Sequence, residues 1–377
     1  MNSHGNRRWI ARWVASIGVL AAGAGQAPAQ APQRYTDSAF VAVSKRLSEA
    51  PGFFDTDNLI SNEDSYLHPV STLKKLGVSG GTYVGVGPDQ NFSYIAAIKP
   101  RAAIIIDIRR DNLVEHMLFK TIFSLSRNRM EYLALLFGKT APADTAGWSA
   151  KPVDSLFAYL DRTKFDSAAA ARIRARVMNS AARWSRLMTE QDLGNFSRFY
   201  DTFVAAGPGL KFNSFGRAPS PYYPDFRRLA RELDRDGKQA SFLATEANFA
   251  VVKDLEDRNL VIPVVGNFAG PTALADVAEW MVENHEHLSA FYTSNVEQYL
   301  HRDGGFNEFA KSVAKLTRNS SSVFIRSCFN CSGAHPHAVS GYRVVQIVQS
   351  ANQFVSLFGS GKLGSYGALL TQGLVTP

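Results

Sequence analysis

The run YVGVGPDQN (Tyr83–Asn91) carries two glycines, Gly85 and Gly87, and Asp107 follows Gly87 by 20 positions. Glycine lets a chain turn sharply and bring bare backbone N–H groups against a ligand. Asp89, Gln90 and Asn91 then open a helix, whose positive end faces the same point. A carboxylate at Asp107, ending the next strand, is placed to accept both hydroxyls of a ribose. Chemistry of this kind holds a nucleotide-like cofactor. Arg109 has two readings: a contact to a 2′-phosphate, or an ion pair at a helix start shared with Arg110.

Other residues fall at the ends of later strands. Asn267 lies in GNFAGP (Gly266–Pro271), and Tyr292 and Asn295 lie in AFYTSNVEQYL (Ala290–Leu300). Ligands in open α/β sheets bind beyond the carboxyl ends of the strands, so these positions join the expected lining. Glu297 and Tyr299 either line the same cleft or sit on a helix surface. Glu63 and Tyr66, in SNEDSYLH (Ser61–His68), precede the first strand and are candidates for a lid. Asn267 is neutral and cannot act as a base, so no residue is singled out as catalytic.

The elements that must position these groups alternate. TYVGV (Thr82–Val86) reads as a strand, DQNFSYIAAIKP as a helix stopped by Pro100, and AAIII (Ala102–Ile106) as a strand buried on both faces. NLVEHMLFKTIFSL is helical again. Residues 127–224 carry helix signals and no strand signals, and are expected to form a helical insertion. Strands return with NLVIPVV (Asn259–Val265), LSAFYTS and SSVFIRSCF. GYRVVQIVQSANQFVSLF (Gly341–Phe358) reads either as a helix or as a long strand. Strands alternating with helices imply a doubly wound, mainly parallel, Rossmann-like α/β sheet, with 30–377 as one domain.

The order of these motifs resembles a class I S-adenosylmethionine-dependent methyltransferase. That superfamily ends its first strand in an acid-x-Gly-x-Gly-x-Gly loop and its second strand in the acid that holds the ribose. Gly85, Gly87 and Asp107 match; Tyr83 stands for the first acid and Asp89 for the third glycine. The segments GVGPDQNFSYIAAIKPRAAIIIDIRRDN, FLATEANFAVVKDLEDRNLVIPVVGNFAGP and AFYTSNVEQYL resemble an uncharacterised bacterial family with a methyltransferase-like fold. The resemblance implies that fold, and S-adenosylmethionine as a cofactor for any activity. A dinucleotide fingerprint would want glycine at Gln90 instead.

Cys328 and Cys331 are the two cysteines, in CFNCSGAHPHA. Ser332 after Cys331 rules out the haem signature. The pair reads as a disulfide closing a strand-end turn, as two thiols, or with His335 and His337 as a metal site. No metal is assigned.

At the N-terminus, NRRWIARW precedes a short apolar stretch, Val14–Gly25, and a small-x-small site, Ala27–Ala29. That is the pattern of a cleaved signal peptide over residues 1–29, too short to span a bilayer. Export by the general secretory route, or by the twin-arginine route through Arg7-Arg8, would deliver a periplasmic or secreted protein with no transmembrane span. The formal charge of +8 loses Arg7, Arg8 and Arg12 on cleavage, leaving +5. A balance that mild gives no footprint for nucleic acid. The sequence therefore describes an exported protein whose cleft takes S-adenosylmethionine or another small polar, nucleotide-like ligand. The alternatives are a non-catalytic periplasmic binding or interaction protein on the same fold, and a redox or metal role at the cysteine pair.

Overall fold

The computed structural model describes Met1 and residues 34–216, 220–329, 331, 333 and 335–376. Residues 2–29 of the expected signal peptide lie outside the described residues. The chain begins with α1 (Asp37–Arg46), whose N-terminus is capped by the Thr36 hydroxyl accepting from Ala39 N at 3.2 Å. Next comes α2 (Pro69–Lys75), with proline at its first position, where a missing N–H costs nothing. The units β1 (Thr82–Gly85), α3 (Gln90–Ile98), β2 (Ala102–Asp107) and α4 (Arg110–Leu125) follow in direct succession. Every residue of β1 and β2 is buried, as the unbroken apolar run of β2 requires.

Helices then run without a named strand: α5 (Arg129–Leu136), α6 (Val153–Arg162), α7 (Ser167–Ala181), α8 (Glu190–Ala206), α9 (Phe226–Arg231) and α10 (Glu246–Asp257). The helical stretch thus continues past Pro224 to the start of the next strand. Its starts are written locally: Asn128, Asp166, Asp225 and Thr245 cap by side chain, and Thr189 forms a reciprocal capping box with Asp192. An aromatic cluster fastens it to the sheet layer. Phe92 of α3 meets Phe119 of α4 at 5.6 Å and Phe242 at 5.3 Å, and Phe123 of α4 stacks on Phe249 of α10 at 5.2 Å.

The chain closes with β3 (Val261–Val265), α11 (Ala273–Glu283), β4 (Leu288–Ser294), α12 (Val296–Arg302), α13 (Phe306–Lys315), β5 (Arg318–Phe329), β6 (Val344–Ser350), α14 (Ala351–Gly359) and α15 (Tyr366–Thr371). The C-terminal run that reads as helix or strand is both. It changes at Ser350, whose hydroxyl accepts from Gln353 N at 3.4 Å and caps α14. The six strands lie in the order β3-β2-β1-β4-β5-β6. All neighbours are parallel except β5 and β6. This is an α/β, Rossmann-like, mostly parallel sheet. Its order reverses between β1 and β4, the point at which such sheets open a crevice at their carboxyl ends.

Candidate functional site

A cleft of about 590 Å³ opens at that crevice. Gly87 and Gln90 after β1, Asp107 and Arg109 after β2, Asn267 after β3, and Ser294 and Asn295 after β4 all line it. Two loops complete the wall, one carrying Phe53, Phe54 and Asn58, the other Phe212, Ser214 and Tyr223. They are joined to each other. Thr56 bridges Ser214, Phe215 N donates to Asp55 O at 2.8 Å, and the Thr56 hydroxyl donates to Asn213 O at 2.6 Å.

The glycine turn is held from inside. Asn91 Nδ2 donates to the carbonyls of Val86, Gly87 and Pro88 at 3.0, 3.1 and 2.8 Å, and Tyr83 Oη donates to Asn91 Oδ1 at 2.8 Å. A Cβ on residue 85 would stand 2.0 Å from Asn91 Oδ1, so Gly85 is required by this plug. Gly87 has φ +83°, a left-handed value that favours glycine. Gly85, Asp89 and Asn91 therefore support the turn without lining the cleft, and Gly87 and Gln90 reach it. Gln90 is buried, and its Oε1 makes no hydrogen bond.

Asp107 is buried and wholly engaged by Arg109. Arg109 N and Nε donate to Oδ1 at 2.9 and 3.1 Å, and Nη2 donates to Oδ2 at 2.8 Å. Arg109 Nη1 continues to Asp57 O at 2.8 Å, on the first wall loop. Of the two readings of Arg109 and Arg110, the geometry has the ion pairs: Arg110 Nη2 lies 2.7 Å from Asp192 Oδ2.

Behind the turn lies a buried set of titratable groups. His116 Nε2 donates to Gly87 O at 2.9 Å, and burial pushes its pKa down to about 4. Burial pushes Asp89, which caps α3 without a side-chain hydrogen bond, up to about 7. Burial also holds Glu115 well above the usual carboxylate range, against the pull of Arg109, and neither of its oxygens is hydrogen-bonded.

Asn267 lines the cleft from a turn built on Glu49. Glu49 Oε1 accepts from Asn267 N at 2.9 Å, and Oε2 accepts from Thr272 N and Ala273 N, each at 3.1 Å. The Asn267 Oδ1 accepts from Ala269 N at 3.0 Å, which leaves its amide nitrogen to the cleft.

Glu63 and Asn295 line the cleft; Tyr66, Tyr292 and Glu297 do not. Tyr66 is buried, its hydroxyl donating to Leu229 O at 3.1 Å. Burial, and then nearby Glu63, raise the Tyr292 pKa well above its ordinary value. Glu297 is buried against Arg326, whose Nε donates to its Oε2 at 2.6 Å. Tyr299 does reach the cleft, edge-on to Phe54 at 5.1 Å.

The sequence reading missed the wall residues Phe53, Phe54, Asn58, Phe212 and Tyr223. Phe53, Phe54 and Asn58 lie in PGFFDTDN (Pro51–Asn58) and Tyr223 in PYYP (Pro221–Pro224), aromatic loops flanked by proline or glycine; Phe212, in KFNSFG, carries no such signal.

Cys328, the last but one residue of β5, and Cys331 are joined as a disulfide with Cα atoms 5.7 Å apart, and Phe329 between them lines the cleft. Among the described residues, no group of three or more His, Cys, Asp or Glu is placed to hold a metal ion. No helix among them is long and apolar enough to cross a membrane.

A family profile described as "Domain of unknown function (DUF7790)" matches residues 59–203 and 209–370. The chain belongs to that family. No curated protein matches the chain.

Proposed function

We propose that this member of the family is an exported protein that binds a small nucleoside-like ligand, such as S-adenosylmethionine, in the cleft beyond β1–β4. One observation carries the reading: Gly87, Gln90, Asp107 and Asn267 come from the ends of three different strands to line one cleft where the strand order reverses. The parallel core order, the two glycines and the acid ending β2 support a methyltransferase-like version of this fold. Pro88 and the antiparallel β6 depart from a dinucleotide-binding sheet. Export rests on the N-terminal pattern of the sequence.

Binding without turnover is favoured over catalysis by the state of the carboxylates. Three acids line the cleft, and each is engaged: Asp107 by Arg109, Asp303 by Arg302 at 2.7 Å, and Glu63 by three neutral donors. None of the described acids lining the cleft stands free as a general base.

Calorimetric titration of the mature protein with S-adenosylmethionine and S-adenosylhomocysteine, repeated with Gln90→Ala, tests the reading. Heat that is lost in the variant is expected. Silence from both ligands at high micromolar concentration sinks it. Mass spectrometry of the native N-terminus tests export; retention of Met1 in the cytoplasm would overturn that part.

A further inference from the structure

Glu63 is only 1 % exposed, yet it lines the cleft. Its Oε1 accepts from the Ser294 hydroxyl at the end of β4. Its Oε2 accepts from the Ser327 hydroxyl of β5 and from Gln346 Nε2 of β6 at 2.9 Å. All three donors are uncharged. A carboxylate offers about four acceptor positions, and these donors take three of them without bringing a positive charge. Tyr292 lies near and is buried, with its hydroxyl beside Glu63, Ser294 and Gln90.

No cation of the protein answers this charge among the described residues. Arg326, next in sequence to Ser327, directs its Nε to Glu297 and lies over Phe324 at 4.6 Å. Arg109 and Arg302 serve Asp107 and Asp303. The lining residues hold three acids and two arginines, and the arithmetic leaves one negative charge, at Glu63. A buried charge without a counter-charge is costly, and neutral hydrogen bonds offset only part of that cost. The lining also carries the rings of Phe53, Phe54, Phe212, Tyr223 and Tyr299; Arg302 lies over Tyr299 at 4.9 Å, and Phe54 stands edge-on to that ring at 87°. Ring faces carry negative potential and attract cations.

We propose that the cleft recognises an organic cation, an ammonium or sulfonium group, with Glu63 as its counter-charge and the aromatic wall around Phe54 as its apolar seat. This rests on reading the cleft as a ligand site, and it specifies the charge that the ligand brings. Phosphate-bearing nucleotides are excluded by the same balance, because both arginines of the lining are already paired.

Two matched pairs of probes test it by calorimetry on the mature protein: choline against its neutral isostere 3,3-dimethyl-1-butanol, and S-adenosylmethionine against S-adenosylhomocysteine. Adenosine monophosphate is the anionic control. In at least one pair the cation should bind about tenfold tighter or more. Glu63→Gln should abolish that preference. Phe54→Leu leaves the hydrogen bonds of Glu63 intact and should weaken the cation several-fold, so the test survives if Glu63→Gln fails to fold. Equal affinity within both pairs, no binding of either cation, or tightest binding of adenosine monophosphate overturns the proposal. The choline pair identifies an ammonium ligand and the other pair a sulfonium. Choline binding without any nucleoside binding would sink the nucleoside reading and keep this one. Both nucleosides carry an α-ammonium group, so equal binding of the two that Glu63→Gln leaves unchanged, with neither choline nor its isostere bound, would do the reverse.

Discussion

Arg109 holds Asp107 through both of its side-chain oxygens and, with its remaining amino group, holds the carbonyl of Asp57 at 2.8 Å. The acid that the spacing offers to a ribose is the anchor of an arginine that ties the end of β2 to the first wall loop.

Replacing Arg109 with Met should therefore act on the wall and on the strand end together. Asp107 would be left buried without its cation, at a cost of about 3–5 kcal/mol. Urea unfolding should read this loss, and amide exchange over Thr56–Asn58 should speed up. A loss under about 1 kcal/mol would show that the pair holds nothing in place.

Gly85→Ala should fail for a local reason. The new Cβ would fall 2.0 Å from Asn91 Oδ1 and 2.8 Å from Tyr83 Oη. Overpacking of this kind costs about 1–3 kcal/mol or more. Asn91→Ala removes the obstacle, so the double variant should lose less than the two single losses added. Strict additivity in denaturant midpoints would mean that the plug does not set the requirement for glycine.

Asp89 gives the protein a pH dependence of definite sign. Its folded pKa, about 7, lies above the ordinary 3.8 because of burial, so the folded state holds the proton where the unfolded chain has released it. The stability it contributes is complete below about pH 4 and is lost as pH rises towards 7, with a slope up to about 1.4 kcal/mol per pH unit. His116, pushed down to about 4, works the other way between about pH 4 and 6.5. Asp89→Asn should remove the first component alone, so the variant should gain on the parent protein as pH rises from 5 to 8. Parallel stability curves for the two proteins would remove Asp89 from this role.

The Cys328–Cys331 bridge closes a very short loop. On chain-entropy grounds it adds about 2 kcal/mol. Reductant, or Cys331→Ser, should lower unfolding stability by that amount. A thiol count on the unreduced, denatured protein should find no free thiol; two thiols would remove the bridge.

Much of the frame was legible because it follows from local rules. AAIII had to be a strand buried on both faces, and Asp107 had to end it. The pairing of Asp107 with Arg109 was also within reach, since residues two apart in an extended chain point to the same side, and Arg109 is extended at φ −86°, ψ 130°. Asn91 was harder: its type suited a helix start, but nothing in the spacing says that its amide turns back under Gly85. The fate of Glu297 depended on Arg326, 29 positions away, reaching it from a neighbouring parallel strand. The wall was least legible, because Thr56 meets Ser214 only after the helices between them have packed.

That last contact also sets a tempo. Asp55, Thr56, Asn213 and Phe215 close the wall through a few hydrogen bonds between stretches more than 150 positions apart, while the sheet below is tied by whole ladders. A seam so thin opens at a small fraction of the free energy needed to melt the strands. Of the parts that enclose the cleft, this seam is the one that costs least to part.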